Sequence, residues 1–203
     1  MKQTGIAMPG YQVNDYILIL NPSQELGQKI TTVRDEFNRT YRVPSTPGKP
    51  NLLLCSFTQL AMAEERIANK LHHIAMGYAP FKVELKNFGS FPSHTIYINV
   101  PSKLPIQALV RKVRTEAQSL MKFDDEHKPY FSNEPHFTIG RKLKPWQYEK
   151  AWLDYSTKHF TGRFIASEML LLKRGHGEEG AWQVRGHYTF ENLPVETKQG
   201  QLF

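Results

Sequence analysis

Cysteine is almost absent: Cys55 is the only one in 203 residues. No disulfide can close within one chain, and a reducing, cytoplasmic setting is expected. No apolar run approaches the roughly 20 residues of a membrane helix, and residues 1–10 lack the apolar stretch of a secretory signal. No membrane partner is expected. Gly-x-x-x-x-Gly-Lys and Gly-x-Gly-x-x-Gly are both missing, which removes the common nucleotide phosphate loops. There is no Cys–His cluster and no His pair at the spacing of a helical zinc site, so neither a metal nor a cofactor is expected. Acidic residues are in deficit, 19 against 26 Lys and Arg, for a net charge of +7. That balance favours a polyanionic partner such as RNA or a nucleotide. Heptads, low-complexity tracts and short tandem repeats are also lacking.

What remains is an ordinary globular composition, 40% hydrophobic and 22% charged, long enough for one domain or two small lobes on a shared core. Residues 1–14 read as a loose arm. An apolar strand at 16–20 is followed by Ser23 as a helix cap, and Leu26, Ile30, Val33 and Phe37 make 24–38 an amphipathic helix. A Pro- and Ser-rich loop at 43–48 is a candidate rim of a cleft. Next come a strand at 51–57, a helix bearing Leu60, Ile67, Leu71 and Ile74, and an alternating strand at 81–85. His72 and His73, near that helix's C-terminus, read as surface residues. The pattern then restarts: a strand at 95–100, a helix capped by Ser102, a charged loop at 122–133, a strand at 134–143, and a helix from Pro145 to about Thr157. A strand at 164–173, a turn at 173–180 and a returning strand at 182–190 follow, then a polar tail at 191–203.

The strand at 134–143, Glu-Pro-His-Phe-Thr-Ile-Gly-Arg-Lys-Leu, has two unlike faces. Side chains alternate along a strand, so Phe137, Ile139 and Leu143 share an apolar face. His136, Thr138 and Lys142 share the other with Gly140, which leaves room beside them. An imidazole, a hydroxyl and an ammonium in a row suit an anionic ligand. Residues 49–54, Lys-Pro-Asn-Leu-Leu-Leu, repeat the outline faintly, and the flanking elements repeat as well. One βαβαβ unit is used twice, with lobes at about 14–90 and 91–190.

A duplicated βαβαβ unit with a His-x-Thr strand in each half resembles the 2H phosphoesterase superfamily, which includes the 2′-5′ RNA ligase-like proteins and cyclic phosphodiesterases. The stretch 135–143 is similar to that family's second motif, and the element order matches over residues 14–190. The resemblance implies an α+β fold of two lobes, each an antiparallel sheet backed by helices, with a central cleft. It implies metal-free chemistry on a phosphodiester, typically a 2′,3′-cyclic phosphate. One imidazole is then the general base, the other the general acid, and two hydroxyls hold phosphate oxygens. An RNA end, a cyclic nucleotide or another phosphorylated small molecule is the implied partner, and a monomer is expected.

The sequence departs from that pattern in its first half. Asn51 stands where the first His belongs and Leu53 where the first Thr belongs. Asn51 can hydrogen-bond a phosphate oxygen but cannot shuttle a proton. Alternation puts Asn51, Leu53 and Cys55 on the cleft face. His94 is a candidate replacement, although alternation with Ile96 and Ile98 turns it to the other face unless a bulge intervenes. His187 is a weaker candidate. Tyr97 is read as a hydrogen-bond donor beside the cleft, and Arg141 with Lys142 as a basic rim. Catalysis is thus assigned to His136 and Thr138 with His94, and substrate binding to Asn51, Tyr97, Lys142 and Arg141. Three readings stay open: an enzyme with an altered first half, a phosphate-binding module, and a polar residue at a lobe interface.

Overall fold

In the computed structural model, residues 10–44 and 48–194 are described. The parts of the arm, the 43–48 loop and the polar tail that fall at 1–9, 45–47 and 195–203 lie outside them.

The first repeat runs β1 (Val13–Leu20), α1 (Gln24–Tyr41), β2 (Leu52–Leu60), α2 (Glu64–Met76) and β3 (Phe81–Lys86). A short strand, β4 (Phe88–Phe91), leads into the second: β5 (Thr95–Asn99), α3 (Lys103–Met121), β6 (Tyr130–Phe131), β7 (His136–Gly140), α4 (Pro145–Tyr155) and β8 (Thr161–Ala166). β9 (Glu168–Gly175) and β10 (Gln183–Thr189) are the last elements among the described residues. The Ser23 hydroxyl caps α1 by accepting from the Leu26 amide at 3.5 Å. Pro145 opens α4, where its missing N–H costs nothing. Ser102 does not cap α3; its hydroxyl accepts from the Glu84 amide instead, at 2.8 Å.

β1 pairs antiparallel with β2, and β5 with β7. The last strands of the two repeats, β3 and β8, pair antiparallel with each other from Phe81↔Ala166 to Lys86↔Thr161. Antiparallel pairing of equivalent strands matches a two-fold relation between the halves. The sheets are β10-β9-β1-β2-β6, β4-β5-β7 and the β3-β8 pair. This is an α+β fold of two lobes, with antiparallel sheets backed by helices around a cleft. Tyr16, Leu18, Leu20, Leu52, Leu54 and Phe57 are buried on one side of the large sheet. Its other side, with Asp15, Ile17, Ser56 and Thr58, is only half-buried.

Several boundaries differ from the sequence reading. β1 begins inside the expected arm. The single strand expected at 164–173 is two strands in different sheets, parted at Ser167, because β8 pairs with β3 and β9 with β1. β4, too short and glycine-bearing to announce itself, pairs with β5.

A charge cluster fixes the last hairpin to the first helical layer. Glu64 is 8% exposed and accepts from the Tyr16 hydroxyl at 3.0 Å, from Lys173 at 3.2 Å and from Arg185. Burial pushes its pKa up, but the Arg185, Lys173 and Tyr16 hydrogen bonds outweigh that and leave it below the ordinary glutamate value. A depressed acid contributes stability above its unfolded pKa and loses it as pH falls through the folded value. Glu64→Ala is therefore expected to cost about 1–3 kcal/mol at pH 7 and less near pH 3, read from urea midpoints at both pH values.

Candidate functional site

β7 keeps the alternation its sequence demands: Phe137 and Ile139 are fully buried, while His136 and Thr138 are half-buried on the open face. The His136 Nδ1–H donates to the Glu134 carbonyl at 2.7 Å. A carbonyl oxygen only accepts, so this bond fixes the tautomer and leaves Nε2 with its lone pair free. Burial holds the His136 pKa below the ordinary imidazole value, against the Glu134 carbonyl and carboxylate, which pull it upward. At neutral pH the ring is an uncharged base.

The ring is held by aromatics. Phe91 meets it edge-on with centroids 5.1 Å apart, and Tyr97 lies 4.9 Å away. Tyr97 pairs with Thr138 across β5 and β7, and burial raises its pKa, so its hydroxyl keeps its proton and can donate. Gly89, opposite Tyr97 on β4, makes this possible: a Cβ there would come within 2.7 Å of the Tyr97 ring. Lys103, in the first turn of α3, pairs with Glu134 at 2.5 Å and so stands next to the His136 anchor. The sequence offered no signal for Lys103 or Phe91, since both meet His136 only through tertiary packing.

Asn51 repeats the anchor in the other half. Its Nδ2 donates to the Lys49 carbonyl at 3.1 Å, two residues back across Pro50, just as His136 reaches Glu134 across Pro135. The side-chain amide reproduces the Nδ1–H bond of a histidine and leaves its oxygen as an acceptor. The bond is matched by a side chain that has no titrating nitrogen. Leu53 is half-buried and presents a methyl surface where Thr138 presents a hydroxyl.

Cys55 is not on the cleft face. The β1–β2 register slips between Leu18↔Cys55 and Ile19↔Leu53, and the bulge turns Cys55 into the core. There it is fully buried, and burial pushes its thiol up to about 12. Ser56 takes the half-exposed side instead. Gly140 likewise leaves no room for a ligand. The β5–β7 register skips Ile139, and a Cβ on Gly140 would collide with the Phe37 ring from α1.

His94 does not reach His136. It is exposed in the turn between β4 and β5, where its Nδ1 shares a 2.7 Å hydrogen bond with the Thr95 hydroxyl. Its carbonyl accepts from the Leu143 amide, placing it beyond the far end of β7. His136 begins that strand, four residues and about 13 Å away from its end at Gly140. Arg141 and Lys142 are exposed at the same far end, and Lys142 has left the strand with φ 53°. His187 is exposed on β10 and donates to Glu168, and His72 and His73 are exposed on α2.

One residue joins the two motif segments. Arg34 of α1, 7% exposed, donates from Nη1 to the Gly48 carbonyl at 3.2 Å and from Nη2 to the Thr138 carbonyl at 3.3 Å. It braces the stretch ahead of Asn51 against the strand that carries His136. The signal was readable: Arg34 occupies a core-facing position between Ile30 and Phe37.

The family model of the 2′-5′ RNA ligase superfamily matches residues 22–178, which contain both motif segments and most of the duplicated unit. The chain belongs to the 2′-5′ RNA ligase superfamily. No curated protein matches it in sequence. Among solved structures, TT0787 of Thermus thermophilus superposes with a TM-score of 0.64 at 16% identity, covering 87% of this chain and 98% of that one. E. coli LigT in apo form gives 0.65 at 12% identity, covering 88% and 98%. E. coli LigT complexed with 3′-AMP gives 0.64 at 13% identity, covering 88% and 99%. At such identities the likeness establishes the shared fold. Within this superfamily framework the chain has one complete anchor–imidazole–hydroxyl set, on β7, and one set with its anchor alone.

Proposed function

We propose that the cleft holds an RNA end, a cyclic nucleotide or a related small phosphorylated molecule bearing a 2′,3′-cyclic phosphate or a 2′-5′ phosphodiester. It turns that ligand over with a single imidazole. The observation that carries the reading is the His136 ring: Nδ1 is tied to the Glu134 carbonyl, Nε2 carries the lone pair, and burial favours the neutral form. Its Nε2 takes a proton from water as the oxygen attacks phosphorus. The bond from phosphorus to one ribose oxygen breaks, and solvent protonates that oxygen, since Asn51 has no proton to give. The Thr138 hydroxyl and the second Nδ2–H of Asn51 donate to phosphate oxygens, and the Tyr97 hydroxyl donates at the edge of the site. The net charge of +7 supports an anionic partner. A solved relative carrying 3′-AMP supports a nucleotide-sized one.

The chain acts on this reading as one monomeric 2H-type unit in the cytoplasm, its lobes at about 14–90 and 91–190. Among the described residues, no helix is long and apolar enough to cross a membrane. A second reading, a module that binds without useful turnover, is favoured by Asn51, whose bond to Lys49 preserves the geometry of the site without its chemistry. Calorimetric titration with 3′-AMP together with hydrolysis of 2′,3′-cyclic AMP separates the two. Binding with slow turnover supports the enzyme, and binding with none supports the module. No binding at all rejects both.

A further inference from the structure

A second pair of histidines lies away from the motif strands. His127, in the loop between α3 and β6, and His176, in the turn after β9, are 49 residues apart in sequence. Their rings come together with centroids 6.1 Å apart at 86°. Each ring is oriented by a carboxylate through the same nitrogen. His176 Nδ1–H donates to Asp15 at 2.8 Å, and the Thr58 hydroxyl donates to that same Asp15 oxygen at 2.8 Å. His127 Nδ1–H donates to Asp124 at 2.9 Å, and Asp124 is itself fixed by the Glu126 and His127 amides. Phe123 packs against the His127 ring at 5.7 Å.

Both Nε2 atoms therefore carry the lone pair in the neutral state. Two neutral rings in the same tautomer make a poor general acid–base pair and a good pair of metal ligands. A histidine whose far nitrogen donates to a carboxylate is the usual arrangement at transition-metal sites. With metal–nitrogen bonds of about 2.1 Å and a near-tetrahedral angle, two imidazole centres sit roughly 5 Å apart, so the pair at 6.1 Å closes by about 1 Å, within the reach of side-chain rotation in two exposed loops. The Asp15 and Asp124 carboxylates add negative charge to the site. Arg174, whose positive charge also acts on Asp15, lies over the Trp182 ring at 4.4 Å.

We propose that His127 and His176 form a two-imidazole clamp for a divalent transition-metal ion of the zinc or nickel type, with Asp15 and Asp124 orienting the ligands. Among the described residues no group of three or more His, Cys, Asp or Glu is placed to hold an ion. The remaining coordination positions belong to water or to an anionic oxygen, and the ion exchanges readily. Asp15 and Thr58 lie on the same half-exposed sheet face as Leu53, along the register Asp15↔Thr58, Ile17↔Ser56, Ile19↔Leu53. Four residues of β1, about 13 Å, separate Asp15 from Ile19, which pairs with Leu53. It is a separate site and does not rest on the reading of His136.

The test is calorimetric titration of the untagged full chain with zinc chloride and, separately, nickel chloride. Wild type is compared with His127→Ala, His176→Ala and a His72→Ala/His73→Ala control, each first shown to melt within a few degrees of wild type without metal. One saturable site per chain is expected. It should weaken at least about tenfold in either single variant and stay unchanged in the control. Absence of saturable binding, equal affinity in His176→Ala, or loss of the site in the control variant would overturn the clamp.

Discussion

Asn51→His combined with Leu53→Thr is expected to raise kcat/KM for 2′,3′-cyclic AMP by about 10²–10⁴, the usual contribution of a positioned acid–base group. The expectation rests on an anchor that is already built. The Lys49 carbonyl accepts a side-chain N–H from residue 51 across Pro50, the same bond that the Glu134 carbonyl makes with His136 across Pro135. A new imidazole finds its Nδ1 partner in place and aims Nε2 as His136 does. Leu53 is half-buried, so a threonine there exposes its hydroxyl without opening a core cavity. The pH profile is a second readout. Wild type, with one neutral base, should show an acid limb below pH 6.5, where burial holds the His136 pKa, and a plateau above it. The double variant should gain an alkaline limb as the new imidazole loses the proton it must donate. A folded double variant with wild-type rate and profile would remove the idea that the first half lost only its proton carrier.

His136→Asn is the converse experiment. It rebuilds the second half in the image of the first, keeping a side-chain N–H for the Glu134 carbonyl while deleting the titrating nitrogen. Turnover is expected to fall by about 10²–10⁴, with melting temperature and 3′-AMP affinity close to wild type. That split distinguishes a base from a packing residue. The ring also fills space between Phe91 and Tyr97, so a residue that merely packed would lower stability and binding together with rate. Turnover that survives His136→Asn would place the base elsewhere.

The doubled βαβαβ unit and the two faces of β7 were legible because they are written in local periodicity. Alternation put Phe137 and Ile139 inside and His136 and Thr138 outside, and the structure agrees. The same rule failed for Cys55 and Gly140, and for one reason. A bulge in the β1–β2 register and another between β5 and β7 each shift the phase of alternation by one residue. No single-strand pattern encodes a bulge. For His94, parity speaks only to its face and already turns it away from the cleft, whereas its place in a turn bonded to Leu143 sets how far it stands from His136. The break at Ser167 was hidden because strand propensity runs through it, and only the choice between β3 and β1 as partners divides the stretch.

By itself, the sequence determined the order of the long helices and strands, most of their inward faces, and the presence at position 51 of a side chain that does not titrate. Each follows from side-chain type and spacing along the chain. Only the tertiary structure decided which groups meet: Asn51 with the Lys49 carbonyl, Arg34 between Gly48 and Thr138, Glu64 with Lys173 and Arg185, and His127 with His176. The longer-range of these contacts join residues up to 121 positions apart. They depend on strand register and lobe pairing, which are properties of the whole packed chain and not of any one segment of it.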